Sequence, residues 1–532
     1  VADVGHLLAD VQLLPLFKKQ IQIDEFDIRQ VKVNTTNFIP SAHIKGNVGR
    51  INLQAHGIDL TKENVNVDNV ILQDGNLSIF LSDTVPPDTT PNTNHWKINV
   101  AQMKIDRTRL DLHMPGDTLE VKAGMGDVAL TNAHFDLFKG LYKAGHIDWK
   151  NGWVNYDNNF EIKQKGLDFN HLAFSDMTLV ADSFSYCDSR LDIILRECRL
   201  KEKCGLAVEN LTGPFGLDST RLWLPKLFLR TPESELQAQV NMDMDAFADH
   251  HPGKLNLVVH GYIGKQDLLL FMKGAPEPLR RRWPNAPLRI DGVLKGNLRM
   301  AKFAGLSVSL PSAFKFQANG YIAGLMDPKR IKANVDLKAT TYHLDFLTAL
   351  LDPSLMQTIR IPVGIGFKGN VRVDGSIYAS HFRLTEGGGY VAGNGLFDVS
   401  RMDYHANLVA SKLQLQHFLP HKGLTPFSGH VVVKGSGTDI LSARTKLDVK
   451  FKVDDFHYSG YSLSDINGMA NLSAGRLHAQ VNSHNPLIKG MIGLDALTQK
   501  RFMRGTLTLD LSHADLFRLH FADRQMTFSG CG

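Results

Sequence analysis

Hydrophobic and polar residues alternate one by one over several segments of the chain. Within residues 446–454, Leu447, Val449, Phe451 and Val453 alternate with charged residues. Successive side chains of a β-strand point to opposite faces, so such a segment has one apolar and one polar face. Parallel strands covered on both faces show unbroken apolar runs instead. The pattern therefore predicts a mainly β protein with an antiparallel sheet that is covered on one side only.

The same alternation recurs along the chain, and its apolar positions are the candidate lining of one long sheet face. They are Leu236, Val240, Met242, Ile331, Val335, Leu337, Leu447, Val449, Phe451, Val453, Leu507, Leu509 and Leu511. Such a face is buried either by packing on another sheet, in a series of sandwiches, or by curling into an apolar trough. Periodicity alone does not choose between the two. The lack of linkers at domain spacing favours the trough.

Helical patterns are short and few. Residues 344–351 carry an apolar stripe at helical spacing that ends at an Asp-Pro pair, and residues 267–271 and 515–517 are similar. The apolar positions of residues 1–20 indicate one more candidate helix. Each is too brief for a helix bundle, so we expect a few short helices at the edges of the sheet.

No change of composition divides the chain at domain spacing, although 532 residues would ordinarily suggest three or four domains. The Pro/Thr-rich segment 83–94 is predicted to be an exposed loop between strands. Similar sequences surround Lys295, Lys368 and Lys434, and their unequal spacing is typical of a repeated antiparallel meander. We therefore predict a single continuous, elongated β region over residues 1–532, as a fragment of a longer protein.

Composition narrows the functional classes. The net charge of +5, from 59 basic and 54 acidic residues, is spread along the chain and is too weak to indicate nucleic acid binding. A hydrophobic content of 43% excludes wholesale disorder. The sequence contains neither a membrane-spanning apolar run of about 18 residues nor a signal-peptide pattern. Its four cysteines lack CxxC spacing and leave the compartment open.

No motif nominates a catalytic residue, a metal or a cofactor. Residues 364–369 spell GxGxxG, but an alternating strand follows where a dinucleotide site needs a helix. The pairs His250-His251 and His417 with His421 have no Cys, Asp or Glu at ligand spacing. Neither GxSxG nor a P-loop is present. We therefore predict a protein that is not an enzyme and uses no cofactor.

The densest basic cluster is Arg280-Arg281-Arg282-Trp283. It fits a site for phosphate headgroups or an acidic partner, with Trp283 at an interface. A solvated loop between two prolines is the interpretation that we favour.

Several segments resemble one protein family. The segments 14–17, 21–23 and 26–28 resemble the start of AsmA-like proteins, just after their N-terminal membrane anchor. Further segments are similar to the TamB family, the inner-membrane subunits of the translocation and assembly module in bacteria with two membranes: 86–90 before Trp96, 152–157, 201–206 and 224–236. The likeness extends over nearly the whole chain, without the anchor and the C-terminal module of that family.

The resemblance implies a fold, a function and a location. The fold is an elongated antiparallel sheet curled into a half-pipe, the "β-taco" or repeating β-groove, with an apolar lining. The function is that of a bridge-like lipid-transfer protein, which carries phospholipid acyl chains through the periplasm between inner and outer membranes. The implied partners are phospholipids, an outer-membrane β-barrel assembly partner, and the inner membrane through an N-terminal anchor absent from this chain.

Elementary energetics agree with that function, and two other classes stay open. An acyl chain in water costs about 0.8 kcal/mol per exposed CH₂, so a continuous apolar wall removes most of the barrier to crossing an aqueous gap. One alternative is a chaperone or assembly factor that offers sheet edges to outer-membrane β-barrels or autotransporters by β-augmentation. The other is a carbohydrate-active β-helix enzyme, which requires tighter repeats of about 20–30 residues.

Overall fold

A computed structural model of the chain is nearly all β. It describes residues 2–17, 19–35, 42–81, 95–114, 118–187, 189–246, 248, 250–272, 274–324, 327, 330–350, 360–420, 423–499, 502–519 and 522–532. In those residues we find no helix with the length and apolar character needed to span a bilayer. The chain divides into two compact units, Val1–Ala275 and Pro276–Gly532.

Over its described residues, the first unit contains a sheet of fourteen strands, seven of which have 15 to 18 residues. Its strands are β1 (Ala2–Val11), β2 (Gln20–Asn34), β3 (Ala42–Asp59), β4 (Asn64–Leu81), β5 (Lys97–Met114), β6 (Leu119–Asp136), β7 (Leu141–Asn158), β8 (His171–Cys187), β9 (Arg190–Glu202), β10 (Ala207–Val208), β11 (Asn210–Leu217), β12 (Arg221–Arg230), β13 (Glu235–Asp243) and β14 (Leu255–Ile263). Its helices are α1 (Leu13–Leu16) and α2 (Lys265–Phe271). Among the described strands, each pairs with the next in sequence, except that the short β10 pairs only with β9, and β9 also pairs with β11.

The prediction of a purely antiparallel sheet is wrong at one place, because β4 and β5 pair in parallel. β5 therefore begins at the same end of the sheet as β4. Both strands carry apolar residues at the same spacing of two, three and two positions, and parallel pairing sets these positions opposite one another. The partners are Val65 and Ile98, Val67 and Val100, Val70 and Met103, and Leu72 and Ile105.

Residues with left-handed backbone angles interrupt these long strands. Asp74 and Arg107 have φ angles of 55° and 46°. They stand at matching positions of β4 and β5, and the register of the two strands does not change there. Their side chains form an ion pair across the β4–β5 ladder, with Arg107 Nε 2.7 Å from Asp74 Oδ1. The alternation predicted from sequence therefore holds in short stretches here and shifts at such residues.

The second unit is built from shorter strands in a single antiparallel order. They are β15 (Leu288–Gly296), β16 (Met300–Leu310), β17 (Phe314–Ala323), β18 (Lys332–Thr341), β19 (Gly366–Asp374), β20 (Ile377–Glu386), β21 (Gly389–Asp398), β22 (Asp403–Gln414), β23 (Pro426–Ser436), β24 (Lys446–Asp455), β25 (His457–Tyr458), β26 (Tyr461–Ser462), β27 (Ile466–Ser473), β28 (Arg476–Asn485), β29 (Ile488–Gln499), β30 (Phe502–Asp515) and β31 (Thr527–Cys531). Its helices are α3 (Glu277–Arg282), a 3₁₀ helix (Asp345–Leu350) and α4 (Leu415–Phe418). β25 and β26 form a separate hairpin, so β24 pairs with β27.

The weak sequence repeat corresponds to a structural repeat of four strands. Lys295, Lys368 and Lys434 lie in β15, β19 and β23, and the three short helices precede those same strands. An even number of antiparallel strands returns the chain to the end of the strands at which it started. Successive repeats therefore begin at the same end of the strands. The prediction of a repeated antiparallel meander is confirmed in this unit.

The short helices are partly as predicted. α2 and the 3₁₀ helix agree with the expected segments 267–271 and 344–351, of which Leu351 lies outside the described residues. Residues 515–517 form the end of β30 and a turn, so that prediction is wrong. Residues 1–20 do contain the predicted helix, but it is only the single turn α1, because Ala2–Val11 form β1. Backbone pairing of β1 with β2 outweighs the helical spacing of its leucines.

The basic cluster is helical, which corrects the preferred loop interpretation. Arg280, Arg281 and Arg282 form the last turn of α3, where positive charge complements the helix dipole. Trp283 packs edge-on against Phe346 of the 3₁₀ helix at 5.2 Å between ring centroids. The anticipated exposed loop at 83–94 lies outside the described residues, and one continuous region over 1–532 stays a prediction.

A closed hydrophobic core is small in both units. In the part of the chain that the structure describes, Leu310, His171 and Asn485 are the largest side chains with less than 2% exposed. The chain exposes 31974 Å², whereas two separate globular proteins of half its mass would together expose about 23,000 Å². The chain therefore leaves more of its surface uncovered than compact domains of this mass do.

Candidate functional site: the apolar face

One apolar face extends through the sheet of the second unit. Directly opposed residues of neighbouring strands share a face, and the pairing joins the predicted lining residues of β18, β24 and β30 through the strands between them. One row across β18 to β30 contains Val335, Val371, Ser380, Gly395, Ala406, Val433, Val449, Ala470, Ala479, Leu494 and Leu507. We call these rows, with the equivalent rows of the first unit, the apolar face.

A second row confirms that the predicted positions point the same way. It contains Leu337, Gly369, Phe382, Gly393, Leu408, Val431, Phe451, Gly468, Val481, Ile492 and Leu509. Leu447, Val453 and Leu511 lie on the same side of their strands, two residues from members of the two rows. Ile331 precedes β18 and is half-buried.

The predicted lining residues are half-buried rather than buried. Eleven of the thirteen fall in this class; Leu507 is 56% exposed and Leu511 is 7% exposed. Inward residues of a β-sandwich interdigitate with a second sheet and lose nearly all contact with water. The exposure of these side chains therefore fits a face that no second sheet covers within its own unit.

The three lining residues of the first unit lie together on β13. Leu236 faces Leu229, Val240 faces Leu224 and Met242 faces Leu222. On the other side of β13, the partners of the same residues are Gly261, Leu257 and Leu255 of β14. The alternation predicted for this strand is therefore one side of a three-stranded apolar patch.

Sequence reasoning missed the apolar rows that cross β1 to β9 and reach β11. One contains Ala9, Phe26, Leu53, Val70, Met103, Leu130, Ile147, Ala181, Leu195 and Gly213. At one end of these strands lies a core cluster of Ala55, Val67, Val100 and Ala133, each at most 6% exposed. The sequence carried one signal for these rows. Apolar residues in β4 and β5 are separated by two, three and two positions, and a search for strict alternation does not detect that spacing.

The opposite face of the same strands carries charge. On β24, Lys446, Asp448, Lys450, Lys452 and Asp454 are exposed and alternate with the lining residues. The Lys452 ammonium lies 2.6 Å from a carboxylate oxygen of Asp454 on this face. The two faces of one strand therefore differ completely in polarity.

A buried carboxylate anchors the polar face near the start of the first unit. Asp27 is 4% exposed and accepts hydrogen bonds from Arg50 Nε at 2.6 Å and Arg29 Nε at 2.7 Å. The hydrogen bond from Arg50, reinforced by Arg29 and Asn52 against the cost of burial, lowers the pKa of the Asp27 carboxyl to about 2. Asp27 is therefore ionised at all ordinary pH values.

A cysteine lies on the apolar face. Cys198 of β9 faces Leu179, which in turn faces Trp149, so it continues a row of large apolar side chains. It is 7% exposed, and burial raises the pKa of its thiol to about 11. Such a thiol is an inert, apolar wall residue rather than a nucleophile.

The residues weighed for metal or nucleotide chemistry have structural surroundings. No group of three or more His, Cys, Asp or Glu side chains suited to a metal ion occurs among the described residues. Nδ1 of His417 instead lies at hydrogen-bond distance, 2.6 Å, from Oε1 of buried Glu386, which the fold brings from 31 positions away. Gly366 and Gly369 belong to β19, as the strand interpretation of the GxGxxG letters predicts.

Comparison with known proteins adds no relative. No protein-family model matches the chain, and no curated protein matches its sequence. The structure supports an almost all-β protein whose sheets have one uncovered apolar face, and the family stays a prediction.

Proposed function

We propose that this protein carries the acyl chains of phospholipids along its apolar face. The single observation that carries the proposal is the row of directly paired residues from Val335 of β18 to Leu507 of β30, which is aliphatic except at Ser380 and Gly395 and lies on a face that stays half-exposed. A catalytic or ligand-specific site would need convergent polar groups. The one polar side chain of this row, Ser380, donates its hydroxyl to the carbonyl oxygen of Asn370.

The physical argument concerns the barrier to sliding. Each CH₂ of an acyl chain gains about 0.8 kcal/mol when it leaves water. Val335, Val449 and Leu494 present similar aliphatic surface from strand to strand. A chain that moves by one strand therefore exchanges one apolar contact for an equal one, and no deep binding site holds it back.

The full proposal also includes the curvature of each sheet, the family of the protein and its location in the cell. In it, each sheet curls along its length into a half-pipe of the AsmA-like and TamB type, with the acyl chains inside and the headgroups at the wet edge. The chain then acts in the periplasm as a non-enzymatic bridge between the inner and outer membranes. Its partners are phospholipids, an outer-membrane β-barrel assembly protein, and the inner membrane through an anchor outside this sequence.

The test places charge on the apolar face. The double variant Val449→Asp/Phe451→Asp interrupts two adjacent rows in β24. We expect it to abolish the transfer of fluorescent phospholipid between donor and acceptor vesicles, because a carboxylate on the wall cannot be desolvated by an acyl chain. Phospholipid that co-purifies with the chain, measured by mass spectrometry, falls in parallel.

The matched control puts the same residues on the other face of the same strand. Lys450→Asp/Lys452→Asp changes the charge of β24 more strongly, yet it leaves the wall intact, so transfer persists. Circular dichroism and thermal unfolding verify that both variants keep the sheet. Full lipid transfer by a folded Val449→Asp/Phe451→Asp variant would refute the proposal that acyl chains move along the apolar face, which we call the conduit function.

A second function has one observation in its favour. β1 pairs with β2 and with no other described strand, and Val4, Leu7 and Leu8 on it are 46%, 59% and 42% exposed. An open edge of this kind accepts an extended segment of an outer-membrane β-barrel protein or autotransporter by β-augmentation. Crosslinking of unfolded barrel strands to β1, in a protein that co-purifies with no phospholipid, would favour this chaperone function over the conduit.

A further inference from the structure

Five apolar side chains protrude from consecutive turns at one end of the first sheet. Leu13 and Leu14 of α1 are 72% and 82% exposed, and Phe17, which follows α1, is 88% exposed. Leu60 in the β3–β4 turn is 49% exposed, and Phe138 in the β6–β7 turn is 48% exposed. We call these five residues the apolar rim. None of them belongs to the rows of the apolar face.

Backbone hydrogen bonds show that the turns of the apolar rim are neighbours. The amide of Leu60 donates to the carbonyl oxygen of Lys19 at 3.3 Å, which joins the turn after α1 to the β3–β4 turn. The backbone amide of Lys97 donates to the carbonyl oxygen of Glu63 at 2.9 Å, and the amide of Leu137 donates to the carbonyl oxygen of Trp96 at 3.1 Å. The rim is therefore one continuous strip along the end of β2 to β7.

Most of the exposed charged side chains along this strip are lysines. Lys19, Lys62, Lys97 and Lys139 are all exposed, and the Lys62 side chain is 80% exposed, whereas Asp10 near the end of β1 is an exposed carboxylate. Asp59 instead accepts hydrogen bonds from the backbone amides of Thr61 and Lys62 at 3.0 Å, and its carboxylate lies 3.7 Å from Lys62 Nζ.

Asp136 follows the same pattern. It is 3% exposed and accepts the amide of Lys139 at 3.1 Å. The surface that the apolar rim offers to a partner is therefore apolar at its tips and positive around them.

We propose that the apolar rim docks on an anionic phospholipid bilayer, with its leucine and phenylalanine tips in the interface and its lysines among the headgroups. Apolar side chains ringed by lysine are the pattern of proteins that lie on a membrane surface. Negative lipid headgroups attract such lysines over about a Debye length. The proposal concerns how this end of the sheet attaches to a membrane, and it holds whether or not the apolar face carries lipid.

The test is flotation of the full chain with vesicles. Vesicles of phosphatidylcholine with about one third phosphatidylglycerol are compared with pure phosphatidylcholine, at low and high salt. We expect binding to the anionic vesicles only, weakened by salt. The variant Leu14→Ser/Phe17→Ser lowers the partition coefficient by about tenfold or more, because interfacial binding scales with buried apolar area. Both residues are exposed, so the fold tolerates their replacement.

The matched control lies at the opposite ends of the same strands. Phe160 and Ile162 are 72% and 86% exposed in the connection after β7. Phe160→Ser/Ile162→Ser removes equivalent apolar surface and leaves vesicle binding unchanged. Loss of binding with this variant but not with Leu14→Ser/Phe17→Ser would overturn the assignment of the surface.

Two further results would also overturn it. One is equal binding to neutral and anionic vesicles. The other is a chain that sedimentation shows to be a dimer and that Leu14→Ser/Phe17→Ser converts to a monomer, since the rim would then be a contact between two copies. If the chain floats with vesicles but transfers no lipid, that result counts against the conduit function and leaves the docking of the apolar rim intact.

Discussion

The ring of Phe451 in β24 lies across Gly468 of the neighbouring strand β27. A Cβ atom built on Gly468 would stand only 2.7 Å from Cζ of Phe451 and 2.8 Å from the carbonyl oxygen of Gln480. The two residues are direct partners in the ladder. A glycine leaves its strand without a side chain, and the aromatic ring opposite covers the exposed backbone. The apolar face thus stays closed to water at a position where the sequence has no side chain.

Alanine at Gly468 tests this arrangement. We expect Gly468→Ala to lower the free energy of unfolding by about 1–3 kcal/mol, because the new methyl group overlaps both the ring and the backbone. Urea unfolding measures the change. In Gly493→Ala of β29, the nearest atom to the new Cβ is 3.5 Å away, so that variant should stay within about 0.5 kcal/mol of the parent. Equal losses in the two variants would contradict the packing described for Phe451.

Photocrosslinking should distinguish the two faces of each sheet. A photoreactive amino acid at Val335, Val449 or Leu494 is expected to crosslink to phospholipid, since these positions share one apolar row. The same amino acid at Lys338 or Lys450, on the polar side of β18 and β24, is expected to give none. The readout is the lipid mass added to the peptide. Equal labelling of both faces would mean that the lipid does not follow the rows.

The Asp27 carboxylate makes stability depend on pH in the acid range. Its pKa is about 2 in the folded chain and 3.8 ordinarily, so it stabilises the fold above about pH 4. That stabilisation is lost as the pH falls from about 4 to about 2. In Asp27→Asn, the fall of the urea midpoint over this interval should be smaller than in the parent. Asp448→Asn, which alters an exposed carboxylate, is the control and should retain the parental slope.

The cysteines should differ in reactivity according to their burial. Cys198 on the apolar face has a pKa raised to about 11, whereas Cys531 is exposed. At mildly alkaline pH, iodoacetamide should modify Cys531 quickly and Cys198 only after unfolding, because the thiolate is the reactive form. Peptide mass spectrometry over time gives both rates. Rapid modification of Cys198 in the folded chain would show that this part of the wall opens to water.

One carboxylate of α2, that of Asp267, holds the turn of the β12–β13 hairpin by hydrogen bonds. Buried Asp267 accepts hydrogen bonds from the hydroxyls of Thr231, at 2.5 Å, and Ser234, both in the turn between β12 and β13. Asp267→Ala leaves two hydroxyl donors without their acceptor and should cost about 1–3 kcal/mol. Thermal unfolding reports the loss. Asp267→Asn keeps one acceptor oxygen and should be the milder change.

Sequence reasoning succeeded where strands are short and regular. In β18, β24 and β30 the alternation predicts both the strand and the side of the sheet on which Val335, Val449 and Leu509 lie. It failed in the first unit, because residues with left-handed backbone angles, such as Asp74, shift the alternation partway along a strand. A search for one fixed period averages over such shifts, although the spacing of Val65, Val67 and Val70 carries the information.

Partners that are distant in sequence lay beyond the pattern as well. The hydrogen bond of His417 with Glu386 and that of Arg50 with Asp27 depend on strand register. Register is set by the sum of many backbone and side-chain contacts, and no single spacing along the chain reports it. The same is true of the aromatic ring over Gly468, where the strand pairing alone makes the two residues neighbours.

The sequence by itself determined the fold class, the polarity of the two faces and the identity of many residues on the apolar one, because side chains alternate by local geometry. Tertiary structure decided three things: the parallel pairing of β4 with β5, the joining of separate apolar segments into rows, and the half-exposed state of those rows. The physical reason is that pairing and coverage depend on which strands meet, and hydrogen bonds between strands are indifferent to sequence distance. Protruding turns such as those of Leu14 and Phe138 become a single surface only when the sheet places them side by side.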